Sequence, residues 1–388
     1  MESKTQVLVV GAGPVGLMTA LHLKRQGFDV KVVEQSEPES VHSFAVVLHP
    51  RTVEMLAELG LAEPLRWQGQ SFKRISVFAN SERRALLTLP VDGAFADGGL
   101  TLPQDVLRRV LEGALRTAGV LVEYGRRLAS LQQCGDEVHA WLVNPHGPSS
   151  DHANETKVIS SFLIGADGFQ SAVRARLGIA MSKLEKERPF AFFDVPHADS
   201  TGASAEFAFG EYAAALYPLR GGSTRYSFEL PHMPTHALGV GELGELRHSR
   251  MPWHAHRLDS IDWSGLRSFQ PALAERFGRG RVWLVGDACH VANPIGAQSL
   301  NVGLREAREL VEAVVECLRG RDLEHISKGY AEQRRLEWRR LLAIGDKPSF
   351  STRTPAWAVQ HFEQLLSCLP ASRDDLDDLL EQLGICVL

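Results

Sequence analysis

The sequence predicts a Rossmann-like α/β domain assembled from discontinuous segments, an α+β domain on an antiparallel sheet, and a set of C-terminal helices. Three observations carry this expectation. Val7-Leu8-Val9-Val10-Gly11-Ala12-Gly13-Pro14-Val15-Gly16, followed by Val32-Val33-Glu34, spells a strand, a glycine turn, a helix and a second strand that ends on an acid. Between Arg188 and Leu230, aromatic residues fall in short extended pieces broken by Gly and Pro, the pattern of an antiparallel sheet. The α/β pattern then returns late, so distant sequence must complete the first domain. We expect residues 1–75, 100–180 and 278–325 in that domain, 76–99 and 181–277 in the second, and 326–388 in the helical segment.

The elements follow in order. Pro50 to Leu59 predicts a helix entered by a proline and stopped near Gly60. Ile75 to Phe78 and Ala85 to Leu89 predict two short strands around Asn80-Ser81. Val106, Leu107, Val110, Leu111, Ala114 and Leu115 recur at a helical period within Pro103 to Ala118. Strands are expected over Leu121–Tyr124, Leu128–Gln132, Val138–Val143 and Val158–Ile164, with a polar, mobile loop from Asn144 to Glu155. His236 to Arg257 is ambiguous and includes a possible helix. Arg281 to Val285 predicts a buried strand, a glycine-rich turn follows, and a helix runs from Ser299 to Leu318. Beyond Ser327 the pattern is mostly helical, and Asp374 to Leu383 is amphipathic and acidic.

Composition narrows the function. The chain has 388 residues, enough for two joined domains, and a net charge of -5 with no long basic run, which disfavours a nucleic-acid partner. Its five cysteines are scattered without CxxC spacing, against both a disulfide framework and a metal site. The apolar stretch Val7 to Leu23 lacks the basic flank and cleavage site of a signal peptide, and no other run is long enough to span a bilayer. A cytoplasmic location is therefore expected.

Three constellations carry chemistry. In the first, Gly11 permits a tight turn, Gly13 lets the backbone approach a pyrophosphate, and Gly16 packs the helix onto the sheet, with Pro14 and Val15 between. Glu34, about twenty residues on, suits both ribose hydroxyls of an adenosine. This geometry fits NAD or FAD, and the acid disfavours the 2′-phosphate of NADP. The second runs Ile164-Gly165-Ala166-Asp167-Gly168 into a short helix carrying Arg174; it serves either a ligand or simply an Asx turn capping that helix. In the third, Val285-Gly286-Asp287 brings an acid to the end of a strand, and Pro294 to Asn301 forms a loop into a helix whose first amides suit a ring carbonyl or a developing anion.

Together, in this order and over nearly the whole chain, these motifs resemble the class A flavoprotein monooxygenases, the aromatic hydroxylases of the p-hydroxybenzoate hydroxylase fold. The resemblance implies that Gly11 to Gly16 and Glu34 bind the AMP half of FAD, and that Asp167-Gly168 serves flavin and reduced nicotinamide. It also implies that Asp287 reaches the ribityl and pyrophosphate portion and that Gln104 contacts the ribityl or phosphate region. Pro294, Gly296, Ala297, Gln298, Ser299, Leu300 and Asn301 would line the isoalloxazine. Two departures stand out. Ala297 and Ser299 occupy positions where the family commonly has glycine, and Ser40 to Val47, with His42 and Phe44, lacks the arginine and glycine often found there. Both bear on the placement or movement of the ring.

The resemblance implies a single-component enzyme that uses NADPH or NADH and O2 to hydroxylate an electron-rich aromatic or polycyclic small molecule through a flavin C4a-hydroperoxide. The cofactor supplies the difficult chemistry, and the chain positions, tunes and shields it. No side chain must act as nucleophile; His290 is a candidate for tuning, and a locally hydrogen-bonded histidine is the plainer reading. Candidate substrate contacts are Phe209, Tyr212, Tyr217, Arg220 and Tyr226, against ordinary sheet packing. An FAD-dependent reductase or dehydrogenase without oxygen insertion, and a catalytically silent flavin-binding regulatory protein, are the alternatives. A flavin halogenase is disfavoured because Trp253, Trp263 and Trp283 lie apart rather than in a Trp-x-Trp-x-Ile-Pro segment. Oligomeric state stays open: Asp374 to Leu388 either caps the monomer or meets a partner.

Overall fold

The strand Glu2–Val10 lies between two parallel neighbours, Val30–Val33 and Glu155–Gly165, in the centre of an eight-stranded sheet. The structure is a computed structural model and describes residues 2–37, 44–89, 98–145, 155–196, 204–254, 258–345 and 349–385. Val7, Leu8 and Val9 are fully buried because helices cover both faces of this strand pair, which is why the segment is continuously apolar rather than alternating. Helix Pro14–Arg25 packs on helices Gln104–Thr117 and Gln298–Leu318.

The far edge of Glu155–Gly165 is divided. Its first half pairs antiparallel with Glu137–Val143, and its last three residues pair parallel with Val282–Leu284. The late strand expected at Arg281 to Val285 is thus inserted beside the first motif by Leu163–Val282 and Gly165–Leu284 pairing. The discontinuous Rossmann-like domain is formed in this way.

The second sheet has seven strands, in the order Trp263–Phe269, Arg188–Val195, Thr224–Glu229, Ala214–Pro218, Ser204–Phe209, Arg74–Ala79 and Glu82–Thr88. It is antiparallel except where Ser204–Phe209 runs parallel to Arg74–Ala79. Asn80 and Ser81 both have positive φ, 53° and 62°, as a two-residue hairpin turn demands. The ambiguous segment contains the helix Val240–Arg250, and Trp263–Phe269 is an edge strand that the pattern did not announce. Leu323–Leu341, Ala356–Gln360, Phe362–Cys368 and Asp374–Gln382 make up the C-terminal helices. Ser40 and His42, most of the loop expected from Asn144 to Glu155, and Cys386 to Leu388 lie outside the described residues. Among the described residues, no helix is long and apolar enough to cross a membrane.

Candidate active site

A cleft of about 710 Å³ opens at the C-terminal ends of the parallel strands, with the edge strand Trp263–Phe269 contributing to the facing wall. It is lined by Gly13, Pro14, Val15, Glu34, Gln104, Asp287, Pro294, Ala297, Ser299 and Leu300, which the motifs had singled out. The three glycines divide by geometry. A Cβ on Gly11, whose φ is 108°, would sit 2.3 Å from the carbonyl oxygen of Ala166, and one on Gly16 would sit 2.1 Å from that of Gly11. One on Gly13 meets nothing within 4 Å. Gly11 and Gly16 therefore allow close packing behind the cleft, while Gly13 leaves room in front of it.

Helix Pro14–Arg25 starts with no side-chain cap and no acid in its first turn, so its first amides are left for an anion. Glu34 stands beside them, its Oε2 accepting from the Ala12 amide at 2.9 Å and its Oε1 from the Ser36 amide at 3.0 Å. Tyr124 shares this end of the cleft. Burial and the neighbouring Glu112 push its hydroxyl up to about 12, so it stays a neutral group, accepting from Arg108 at 3.1 Å. An uncapped helix start, an open Gly13 and an oriented Glu34 fit the pyrophosphate and adenosine ribose of FAD.

The second motif is turned differently. Asp167 accepts from the Ser171 hydroxyl at 2.6 Å and the Val173 amide at 3.0 Å, capping helix Ala172–Arg176; Gly168 rather than Asp167 lines the cleft. Burial raises the Asp167 carboxyl above its ordinary value. Arg174 ties this motif to the third by donating to the carbonyl of Ala288 at 2.9 Å and to that of Phe169 at 2.7 Å. Asp287 faces the cleft, and enclosure by its walls raises its carboxyl pKa against the opposing pull of His290 and Arg267. His290 itself is fully buried. Its Nε2 lies 2.6 Å from Glu306, and its ring stacks on Trp338 at 3.8 Å.

The loop from Pro294 to Asn301 is held from several sides. Tyr217 donates its hydroxyl to the Ile295 carbonyl at 2.7 Å, and the His49 ring bonds the Gly296 carbonyl at 2.9 Å. Asn301 donates to the carbonyls of Val47 and Ala297, both at 2.8 Å, and accepts from the His49 amide at 2.7 Å. Gln298 donates to the Leu366 carbonyl at 2.6 Å, and a Cβ on Gly296 would meet the Ser367 carbonyl oxygen at 2.8 Å. Gly296, Gln298 and Asn301 thus set the loop's shape from behind and do not line the cleft. Ala297 has φ 50°, the left-handed conformation that favours glycine, and Ser299 uses its hydroxyl to accept from the Ala292 amide at 2.9 Å.

None of the five expected substrate contacts lines this cleft. Phe209 is buried in parallel stacking with His361, and Tyr226 lies parallel to Phe228 in a separate core. Tyr212 lies under Arg250, Arg220 is exposed in a turn, and Tyr217 braces the loop. The wall is instead made by Phe44, Phe169, Arg267 and Phe269, none of which was among the expected substrate contacts. Phe44 packs 5.1 Å from Phe192 and 6.4 Å from Phe269, with Arg267 over its ring at 5.5 Å. Arg225 holds Asp194 at 2.5 and 2.6 Å and reaches the Phe44 carbonyl at 3.3 Å, joining this wall to the sheet interior. Alternation of Trp263, Arg267 and Phe269 was the available signal, obscured by the intervening Ser and Gly.

Residues 4–343 match the family model described as FAD binding domain. The chain belongs to this family. Among its relatives are 6-methylpretetramide 4-monooxygenase of Streptomyces rimosus, 28% identical over 90% of this chain and 61% of that protein, and rifampicin monooxygenase of Rhodococcus hoagii, 26% identical over 79% and 63%. Dialkyldecalin synthase of Streptomyces rugosporus is 27% identical over 89% and 71%. The chain thus spans just over three fifths of the first two relatives' length. The solved structure of p-nitrophenol 4-monooxygenase from Pseudomonas putida shares the fold with a TM-score of 0.77, at 24% identity over 99% of this chain and 98% of that one. This family of FAD binding domains includes the class A aromatic monooxygenases that the three motifs resemble, and the chain is placed with them.

Proposed function

We propose that this FAD binding domain protein is a flavin-dependent monooxygenase acting on an electron-rich aromatic or polycyclic small molecule. The reaction consumes substrate, O2, NADPH or NADH and a proton, and yields hydroxylated product, NADP+ or NAD+ and water. One observation carries the reading: Gly13 and Glu34 of the glycine motif, Pro294, Ala297, Ser299 and Leu300 of the late loop, and the aromatic Phe44 and Phe269 all line a single cleft. The oxygenases among its relatives support it.

In this reading the amides at the start of helix Pro14–Arg25 take the pyrophosphate and Glu34 accepts from the ribose hydroxyls. Gln104 and Asp287 meet the central portion of the cofactor, and Pro294, Ala297 and Leu300 flank its ring. Bound FAD supplies hydride acceptance and oxygen activation. The chain contributes enclosure: Phe44, Phe169 and Phe269 keep water from the reacting face, and Arg267 supplies positive charge beside it. Residues 1–75, 100–180 and 278–325 would hold the cofactor, 76–99 and 181–277 the substrate, and 326–388 would brace both.

Stopped-flow reduction by NADPH and NADH across a panel of phenols and polycyclic aromatics, followed by product mass, tests this. A substrate-accelerated loss of flavin colour and a product heavier by one oxygen atom are expected. Reduction with an oxygen-free product would establish a reductase instead. A second reading, flavin binding without oxygenation, draws on the side chains of Ala297 and Ser299 in the loop and on the likeness to a synthase. It predicts that no compound accelerates reduction.

A further inference from the structure

A second cleft, of about 470 Å³, lies between the hairpin formed by Gly278–Arg279 and Val282–Leu284 and the helix Leu323–Leu341, and shares no lining residue with the first. Its floor is aromatic and rigid. Trp283 stacks on Tyr330 with centroids 5.6 Å apart and planes at 16°, and Phe277 meets the Tyr330 ring edge-on at 6.5 Å. The hairpin tip is fixed as well, because Trp283 Nε1 donates to the Gly280 carbonyl at 2.7 Å and Gln133 bridges the Arg279 carbonyl and the Arg281 amide at 3.0 and 2.8 Å.

The rim carries Arg276, Arg279, Lys328, Arg335 and Arg339 against two carboxylates, Glu275 and Glu332, in a protein whose net charge is -5. Among the described residues, none of these five cations forms an ion pair. Their neighbours on the same helix do: Arg334 pairs with Glu309 and Glu337, and Arg340 with Asp377. Lys328, Arg335 and Arg339 fall on one helix face, and Arg335 and Arg339 stand four residues apart, where like charges repel. Cations thus outnumber carboxylates five to two around the cleft, and guanidinium groups suit both paired hydrogen bonds to an oxyanion and stacking on a flat ring.

We propose that this cleft is a second ligand site for a small organic polyanion with a flat apolar body. The site is independent of the flavin cleft and of the activity proposed for it. The anionic groups meet Arg279, Arg335 and Arg339 at the rim, while the body lies against the exposed Leu336 and the edges of the buried Trp283 and Tyr330.

The test is calorimetric titration of the FAD-loaded protein with 1,5-naphthalenedisulfonate and, in parallel, with sodium sulfate, which offers charge without a body. One disulfonate per chain is expected, bound more tightly than sulfate. Its affinity should fall about tenfold or more in the double variant Arg335→Glu/Arg339→Glu. Arg276→Ser/Arg279→Ser should weaken it from the opposite rim, with retained FAD and circular dichroism reporting intact folding. Arg116→Glu, an exposed charge reversal outside the cleft, should leave it unchanged. Absence of disulfonate binding, survival of binding in both double variants, or an equal loss in Arg116→Glu would each overturn the site. So would sedimentation showing that a second copy of the chain covers this face.

Discussion

The hydroxyl of Tyr217 and the carbonyl oxygen of Ile295 meet at 2.7 Å in the buried seam between the second sheet and the loop that flanks the cofactor cleft. That bond joins a strand residue to a backbone whose conformation sets one wall of the cleft. The neighbouring bonds from His49 and Asn301 approach the same loop from the other side.

Tyr217→Phe removes the donor and leaves a buried carbonyl without it, at a cost of about 1–3 kcal/mol. Urea unfolding should show that loss with an unchanged slope. In the proposed reaction the loosened loop should also lower product formed per NAD(P)H consumed. Wild-type values in both measurements would show that the bond supports neither stability nor the loop.

Ala297→Gly relieves the left-handed conformation at φ 50°. The relief, about 1–2 kcal/mol, exceeds the flexibility cost of glycine, about 0.5–1 kcal/mol, so the variant should be more stable. Ala297→Val should be less stable than wild type. A reversed order in denaturation midpoints would refute the strain.

Glu34→Gln keeps the shape of the side chain but discharges the carboxylate that accepts from Ala12 and Ser36. FAD affinity, followed by the fluorescence of released flavin, should weaken roughly tenfold to a hundredfold, as expected for a charge-assisted bond. Unaltered affinity would remove Glu34 from the adenosine site.

Burial lowers the His49 imidazole to about 3, an effect that its bond to the Gly296 carbonyl opposes and Arg305 reinforces; burial likewise lowers His22 to about 4, helped by Arg308 and Arg25. The folded state therefore disfavours protons that the unfolded chain takes up below about 6.5. Stability is greatest above that pH and falls as the medium is acidified toward these lowered values, by about 1.4 kcal/mol per pH unit for each proton. His49→Asn should remove about one proton from the slope between roughly pH 4 and 6. Chemical denaturation at a series of pH values reads this directly, and an unchanged slope would rule it out.

Phe269→Ala opens the aromatic wall beside Phe44 and Arg267. If the chain carries out the proposed reaction, peroxide released per NAD(P)H oxidised should rise several-fold as water reaches the reacting face. An unchanged ratio would locate the shielding elsewhere.

The parts of the fold governed by local chemistry were legible in the chain. The glycine turn and Glu34 announce themselves because the backbone geometry admits few other residues, and helix Gln104–Thr117 because its apolar face repeats cleanly. Trp263–Phe269 was missed because an edge strand with Ser264, Gly265 and Ser268 spread over both faces has little apolar contrast. The aromatic candidates were misplaced for a related reason: Phe209, Tyr217 and Tyr226 are extended and bulky, but which face of a sheet meets the cleft depends on pairing between distant strands. Likewise, Asp167 sits in the anticipated turn, yet whether it caps a helix or faces a ligand is decided by Ser171 and Val173 in three dimensions.

Gly296 and Gln298 rest on the main chain of residues 366–371. During synthesis the ribosome must therefore deliver residues 366–371, well after the glycine fingerprint, before the loop acquires its final backing. A nascent chain halted before residue 366 would carry the glycine fingerprint but leave Gly296 and Gln298 without these carbonyl contacts.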